Sequence, residues 1–144
     1  MSAPPLWVAP YVGVPFCESG FTRSGCHCWG LVHLIYREVA GIDLPRYDPV
    51  LSADHAGCAA EMQAAVDCGP WRAVADRPSD LDVVLMSAII RDLGRLRRYA
   101  CHVGVVVGES HLLHVEPGTE SVCIPLNFFS IRRRVIGFYR HASR

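Results

Sequence analysis

The chain has 144 residues, of which 51% are hydrophobic and 19% charged, and its formal net charge is zero. This length suits one compact domain spanning residues 1–144, and the even balance of charge gives no basic surface of the kind that binds nucleic acid. The apolar runs fall well short of the roughly 20 residues that cross a bilayer. The first residues also lack the basic and apolar regions of a secretory signal peptide. We therefore expect a globular protein made in the cytoplasm, without membrane insertion or a nucleic-acid partner.

The first half of the chain predicts an irregular arm followed by two helices. Residues 1–27 are rich in glycine and proline and predict the N-terminal arm. In residues 28–69 the apolar positions first recur at helical spacing, and Gly41 is typical of the residue that follows the end of a helix. A second helix is predicted from about Ser52 to Cys68, with either Ser52 or Asp54 as its N-cap.

After residue 70 the pattern changes to short β-rich runs separated by turn residues. The predicted strands are 81–86, 101–108, 111–116, 121–126 and 133–141. Helices followed by strands predict an α+β fold, in which the helices pack on an antiparallel sheet of about five strands in meander order, formed by residues 71–144. The basic segment 87–100 interrupts the strands, and we interpret it as a loop or a short helix.

Two histidines are predicted to meet across one hairpin. The runs 101–108 and 111–116 are expected to turn about Gly108, and a three-residue loop at 107–109 pairs residues whose numbers add to 216. His102 then lies opposite His114, with Cβ atoms about 4.5–5.5 Å apart. His111 has the wrong parity to join them in this register.

Cys28 is the candidate nucleophile among the seven cysteines of the chain. It begins the first predicted helix, where unpaired N–H groups and the helix dipole favour a thiolate near neutral pH. A cysteine nucleophile needs a general base and a group that orients the base. We assign these roles to His102 and His114. Cys26 lies outside the helix and is interpreted as an ordinary thiol.

The other cysteines have less to suggest a function. Without a signal peptide, a disulfide framework is the weaker interpretation. A zinc site of Cys26, Cys28, His102 and His114 is disfavoured because structural sites usually space paired cysteines by two to four residues. We expect no metal and no cofactor. The cysteines interpreted as buried structural residues are Cys58, Cys68, Cys101 and Cys123, and Cys17 has no assigned role.

The motifs GCHCWGLV, LDVVLM, HVGVVVG and LLHVEPG, in this order and spacing, resemble those of the NlpC-like cell-wall cysteine peptidases (the NlpC and p-sixty endopeptidases). The resemblance is strongest to the phage-type branch found in tailed-phage and gene-transfer-agent clusters. It implies a papain-like α+β fold with Cys28 as nucleophile, His102 as base and His114 as the residue that orients the base. It also implies hydrolysis of peptidoglycan stem peptides, commonly between D-glutamate and diaminopimelate.

For the phage-type branch we expect a place in the virion tail tip and action at the bacterial cell wall. The partners would be tail-tip or baseplate proteins, docked on the N-terminal arm or on segment 87–100, since neither has an evident role in the core. The family usually has aspartate at the position of His27 and tyrosine at that of Phe16, where its hydroxyl helps to stabilise the oxyanion. These departures leave open a structural tail-assembly protein with weak or lost activity. An acyl- or amidotransferase also remains open, and Tyr11 is a nearby hydroxyl of undecided role.

Overall fold

The computed structural model describes residues 4–47 and 50–144. Within them, helices pack on a six-stranded sheet, beside a two-stranded ribbon near the N-terminus. The helices are α1 (Cys28–Ile35), α2 (His55–Cys68) and α3 (Phe129–Arg132). The strands are β1 (Phe21–Thr22), β2 (Gly25–Cys26), β3 (Trp71–Ala73), β4 (Val83–Asp92), β5 (Arg95–Val107), β6 (His111–His114), β7 (Val122–Pro125) and β8 (Val135–His141). None of the helices described has the length and apolar character needed to span a membrane.

The two predicted helices are present, with ends set by the expected residue types. After α1 the chain continues as a π-helical segment (Tyr36–Ala40) and stops at Gly41, whose φ of 69° is in the left-handed region that favours glycine. The α2 helix is capped by Asp54, whose carboxylate accepts a hydrogen bond from the Gly57 N–H (2.9 Å). Ser52 therefore lies before the helix, and its hydroxyl donates to Glu18 instead (2.5 Å).

The six-stranded sheet has the order β3-β8-β4-β5-β6-β7, and its neighbouring strands pair antiparallel. Strands β4 to β7 form the expected meander, whereas β8 returns to pair with β4 on its other side. The α+β fold is confirmed, with one strand more than expected. The additional strand, β3, is three residues long and at the edge of the sheet, too short for a period of two to be recognised.

The prediction of a loop or helix for residues 87–100 is wrong, because β4 and β5 extend through this segment as a long hairpin. Asp92 pairs with Arg95 across a two-residue turn. Leu93 and Gly94 in this turn have φ values of 49° and 77°, as required by a turn of the primed type. The hairpin projects beyond the core, and Leu93 is 95% exposed. Without one buried face, its sequence lacks the alternation that identifies a strand.

The main core lies between α1 and one face of the sheet. The α1 side chains Leu31, Val32 and Ile35 are fully buried, and they belong to the same cluster as Val105 and Leu113 of the central strands. A smaller cluster covers the other face, where Ile131 of α3 joins a group from the sheet comprising Val84, Met86, Val106 and Leu112. The helix that begins with Cys28 is thus fixed against the middle of the sheet.

The N-terminal arm is part of the core, contrary to the expectation that it has no role there. Its 3₁₀ helix (Leu6–Tyr11) and the residues after it bury Val8, Tyr11 and Val14 in the main cluster. The Trp7 indole N–H donates to the Asp80 carboxylate (2.9 Å). Apolar side chains in the arm are what anchor it, although its glycines and prolines suppress regular secondary structure.

The arm also passes directly over the start of α1. A Cβ on Gly30 would lie 2.0 Å from the Gly20 carbonyl oxygen, so only glycine permits this approach. The loop before β1 and the first turn of α1 are therefore in close contact, and together they form one wall of the cleft described below.

Candidate active site

Cys28 is the first residue of α1, and His27 is its N-cap. The His27 Nδ1 atom accepts a hydrogen bond from the Gly30 N–H (3.0 Å), which is the contact that an aspartate makes at a helix N-cap. Burial lowers the pKa of His27, and the neutral ring keeps the Nδ1 lone pair available for the cap. The histidine thus supplies the N-cap contact that an aspartate would make at this position.

The Cys28 thiol faces strand β5, where the Val103 N–H donates to its sulfur, as does the Trp29 N–H. Burial nevertheless raises the pKa of Cys28 to about 12. The expectation of a resting thiolate is therefore wrong, because desolvation outweighs the backbone donors. Among the residues described, no hydrogen bond joins the Cys28 thiol to His102.

Cys26, the other member of the C-x-C pair, has no exposed surface. Burial raises the pKa of its thiol to about 12, with a further increase from Cys28. Both thiols are therefore neutral at pH 7, and the two cysteines differ in whether the thiol can be reached from the cleft. Cys28 faces the cleft, and Cys26 packs in the main core.

The two histidines meet as expected, in a register shifted by two residues. Val107 pairs with His111 and Val105 with Leu113, so paired numbers add to 218 instead of 216. A shift of two keeps every side chain on its face. His102 and His114 are consequently diagonal neighbours, and His102 Nε2 lies 2.8 Å from His114 Nδ1. His111 is separate from this pair and contacts Ser110 (3.0 Å).

The hydrogen bond between the rings defines which atom of His102 is available for proton transfer. When His102 Nε2–H donates to His114 Nδ1, the His102 Nδ1 lone pair is left free. Burial, and secondarily the neighbouring His114, lower the pKa of His102 to about 3. Burial also lowers the pKa of His114. At neutral pH both rings are uncharged, and His102 is in the form that accepts a proton.

A β-bulge precedes His102. Met86 pairs with His102 but Ala88 pairs with Tyr99, so β5 has one extra residue between these two pairs. Bulges bend a strand and redirect its side chains, and they are frequent beside active sites. The bulge marks the point where β5 leaves the projecting hairpin and enters the core, with His102 at the boundary.

Glu116 and Arg134 belong to this site, and the sequence-based reasoning missed both. Glu116 Oε1 lies 3.7 Å from His102 Nε2 and 3.6 Å from His114 Nδ1, and Arg134 Nη1 contacts the same oxygen (2.5 Å). Although burial favours the neutral acid, the pKa of Glu116 is lowered, by His102 when that ring is charged and by the hydrogen bond and charge of Arg134 in the resting site. The sequence did contain a signal for Glu116. It follows His114 by two residues along an extended segment, so the two side chains are expected on the same face.

A cleft of about 540 Å³ brings these parts together. Its walls come from the arm, the start of α1, α2 and the sheet, and Cys28, His102, Glu116 and Arg134 all line it. Most other lining residues are apolar, including Trp71 and Met62. This is the usual character of a ligand cleft, with a few polar groups in an apolar surface.

The remaining cysteines differ partly from the expectation of buried structural residues. Cys58 and Cys101 are half-buried and line the cleft. Cys123 is half-buried, whereas Cys68 and Cys17 are exposed. All seven cysteines are free thiols. The prediction of burial was wrong for Cys68, which is the last residue of α2, where the helix meets solvent.

A family model described as the NlpC/P60 family matches residues 13–137. The chain belongs to the NlpC/P60 family. Members of this family are cysteine peptidases that act on peptidoglycan. The sequence has no significant match among curated proteins.

Solved structures of NlpC/P60 proteins share the fold. The NlpC/p60 domain of the peptidoglycan hydrolase SagA is 18% identical with a TM-score of 0.55, over 92% of this chain and 94% of that one. A lipoprotein-like NLP/P60 protein from Staphylococcus aureus (18% identity, TM-score 0.58) and an NlpC/P60 protein from Bacillus cereus (20%, 0.59) are matched over 93% and 97% of this chain. This chain spans only 38% and 41% of those two longer proteins.

Phe16 lines the cleft without a hydrogen-bond donor, at the position where the resemblance implies a tyrosine hydroxyl. Tyr11 does not replace the missing hydroxyl, since its own hydroxyl donates to Glu38 (2.8 Å) in the packed arm. The remaining donors are backbone N–H groups at the start of α1 such as that of Cys28, because the Gly30 N–H already donates to His27. Any oxyanion formed beside Cys28 would be stabilised mainly by these groups.

Replacing the histidine cap should change both the stability and its pH dependence. His27→Ala should lower the free energy of unfolding by about 0.5–2 kcal/mol, because it removes the acceptor for Gly30. The depressed pKa of His27 in the folded state means that the unfolded chain binds more protons below about pH 6.5. The cap's contribution is then lost as pH falls, whereas His27→Asp keeps an ionised cap.

Urea unfolding at pH 7 and pH 5 tests this prediction. His27→Asp should lose less stability between these pH values than the wild type, since the other histidines contribute equally in both proteins. Equal losses in the two proteins would contradict the role of His27 as a neutral cap.

The raised pKa of Cys28 predicts how the thiol reacts with iodoacetamide. Well below the pKa, the thiolate fraction grows about tenfold per pH unit, so alkylation of Cys28 should accelerate continuously from pH 6 to 9. Site-resolved mass spectrometry measures each rate, with the exposed Cys17 and Cys68 as internal references. A rate for Cys28 that is already at its plateau at pH 6–7 would show a resting thiolate and contradict the neutral thiol.

Proposed function

We propose that this NlpC/P60 chain is a phage-type endopeptidase that hydrolyses amide bonds in peptidoglycan stem peptides, with the bond between D-glutamate and diaminopimelate as its target. The observation that carries the proposal is that Cys28, at a helix N-terminus, and His102 line one cleft, with His114 bonded to His102 behind it. Membership of a family of peptidoglycan peptidases supports the class of reaction and substrate.

The proposed reaction begins from two uncharged groups. The Cys28 thiol turns from the Val103 N–H toward His102 Nδ1 and transfers its proton there as the sulfur attacks the amide carbonyl. The N–H groups at the start of α1 stabilise the resulting oxyanion. The imidazolium then gives its proton to the leaving amine, and water, activated by the same ring, hydrolyses the thioester.

The groups beyond His102 act on the imidazolium that forms in this step. His114 accepts from His102 Nε2–H and so fixes the orientation of the ring. The Glu116 carboxylate, 3.7 Å away, stabilises the positive charge, and Arg134 keeps that carboxylate ionised. These interactions are stronger with charged than with neutral His102, which is the condition for a contribution to the rate.

The cleft also suits a peptide that carries carboxylates. The Arg46 side chain is exposed at its edge, and its guanidinium lies over the Phe21 ring at 4.5 Å. This stacking holds a positive charge beside an otherwise apolar wall. Stem-peptide carboxylates would find in Arg46 a partner that is oriented before binding.

Substitutions in the proposed machinery should separate the roles of its members. Cys28→Ala and His102→Ala should abolish release of fragments from purified sacculi, because nucleophile and base are lost. His114→Gln should leave a reduced but measurable rate, because an amide can still accept from His102 Nε2–H. His111→Ala, which changes a histidine outside the pair, is the matched control and should keep the wild-type rate.

Chromatography and mass spectrometry of the fragments identify the bond that is cleaved. Fragment release by folded Cys28→Ala at the wild-type rate would contradict the proposed nucleophile. Loss of activity in His111→Ala with normal activity in His114→Gln would contradict the proposed pairing of the histidines.

Restoring a hydroxyl at position 16 should not lower the activity. Phe16→Tyr supplies the donor that most family members have, and a single oxyanion donor is worth about 10²- to 10³-fold in rate. We therefore expect turnover of stem peptides to rise or to stay unchanged. A folded variant with much lower turnover would show that the cleft requires an apolar ring at this position.

We propose further that the chain is carried in the tail tip of a virion and binds tail-tip or baseplate proteins. The likeness of its motifs to the phage-type branch supports this location. The projecting β4–β5 hairpin supports a docking role, with exposed Leu93 and Leu96 among arginines at its tip. Because the arm is packed in the core, the hairpin is the better of the two expected docking segments.

Mass spectrometry of purified particles tests this location. The chain should be present at a fixed ratio to tail proteins, and replacing Leu93 and Leu96 with serine should reduce its incorporation. Particles that lack the chain altogether would contradict the proposal.

A structural tail-assembly protein of the same fold is the second candidate. The observations that favour it are the apolar Phe16 in the oxyanion region and the absence, among the described residues, of a hydrogen bond between Cys28 and His102. A folded wild-type protein that releases no fragments from sacculi but is present in particles would support this alternative.

A further inference from the structure

We propose that His102, His114 and Glu116 form a binding site for a divalent transition metal such as Zn²⁺, and that the bound metal blocks proton acceptance by His102. Among the residues described, they are the group of three potential ligands whose donor atoms all lie within 4.8 Å of one another. None of the seven cysteines belongs to this group, so it differs from the Cys₂His₂ set considered from the sequence. Metal binding does not depend on the proposed function, whereas the inhibition rests on the proposed role of His102 as the base.

The distances between the donor atoms fit zinc. His102 Nε2, His114 Nδ1 and Glu116 Oε1 are separated by 2.8, 3.7 and 3.6 Å. A point equidistant from the three lies in their plane about 2.0 Å from each, close to the bond lengths of roughly 2.0–2.2 Å that zinc makes to nitrogen and oxygen, and the two rings must move apart for tetrahedral geometry. Two histidines and one glutamate also form a known three-ligand set, which leaves a fourth position open. Two of the three ligands, His102 and Glu116, line the cleft, so a metal bound by them would be reached from it.

Binding has costs that limit the affinity. The hydrogen bond between the two rings must break, and both rings must turn toward the metal. Arg134 contacts the same Glu116 oxygen (2.5 Å), and its positive charge opposes a divalent ion. We therefore expect weaker binding than at a structural zinc site, and we expect the removal of Arg134 to strengthen it.

The bound metal would change the protonation of His102. A metal on Nε2 displaces the proton there, and the neutral ring then carries its proton on Nδ1. In that form Nδ1 is a donor and cannot accept the Cys28 proton. The metal would thus inhibit hydrolysis reversibly without a bond to the nucleophile, and a chelator would restore activity.

Competition with a chromophoric zinc chelator measures binding to the purified full-length chain. His114→Gln and Glu116→Gln should each weaken Zn²⁺ binding at least tenfold, whereas Arg134→Gln should tighten it several-fold. His111→Gln is the matched control and should bind as the wild type does. Circular dichroism checks that each variant is folded, and Cys28→Ala should retain the affinity, since sulfur is not a ligand.

Co²⁺ provides a second readout that does not depend on activity. Its visible spectrum should show nitrogen and oxygen ligation without a sulfur-to-cobalt charge-transfer band, and His114→Gln should abolish it. A charge-transfer band, or equal zinc affinity in wild type, His114→Gln and Glu116→Gln, would overturn the metal site. Binding by these residues in a chain that never hydrolyses sacculi would leave the site intact and refute the proposed function instead.

Discussion

The packing of α1 against β5 is the interaction on which the rest of the site depends. Leu31, Val32 and Ile35 are fully buried against the sheet, and burial of each such side chain contributes about 1.5–3 kcal/mol. This contact fixes the first residue of the helix beside Val103, and His102 is the next residue along the strand. The separation of Cys28 and His102, the proposed nucleophile and base, is therefore set by the hydrophobic core. Because packed elements and not loops fix this separation, it has the precision that a catalytic pair requires.

The same burial determines the charges of the resting site. Removing Cys28 from water raises its pKa to about 12, and removing His102 lowers its pKa to about 3. Both shifts oppose a thiolate–imidazolium pair, and each pKa unit corresponds to about 1.4 kcal/mol. Charge separation must then be stabilised as the reaction proceeds. The backbone donors to the sulfur and the Glu116 carboxylate beside the histidines lie where the two charges would develop in the proposed reaction.

The sequence was sufficient for features that depend on pattern and insufficient for those that depend on solvation and exact register. The helix that ends at Gly41 and the position of His102 and His114 on one face of the sheet follow from periodicity. A register shift of two residues does not change the face on which a side chain lies. The projecting hairpin was missed because its strands leave the core and lose alternation. The neutral state of Cys28 was missed because the helix dipole is visible in a sequence, whereas the desolvation that outweighs it arises only from tertiary packing.

The position of Arg134 would allow one carboxylate to serve the proposed proton-transfer site without making it a strong metal site. An imidazolium formed on His102 interacts with Glu116 across 3.7 Å, so the carboxylate keeps its contact with Arg134 while it stabilises the charge. A metal ion requires direct coordination by the same oxygen and therefore competes with Arg134 for it. The arginine also holds Glu116 ionised, against the tendency of burial to protonate it. A neutral residue at position 134 would remove the competition with a metal ion for the Glu116 oxygen, and it would also remove the charge that favours the ionised carboxylate.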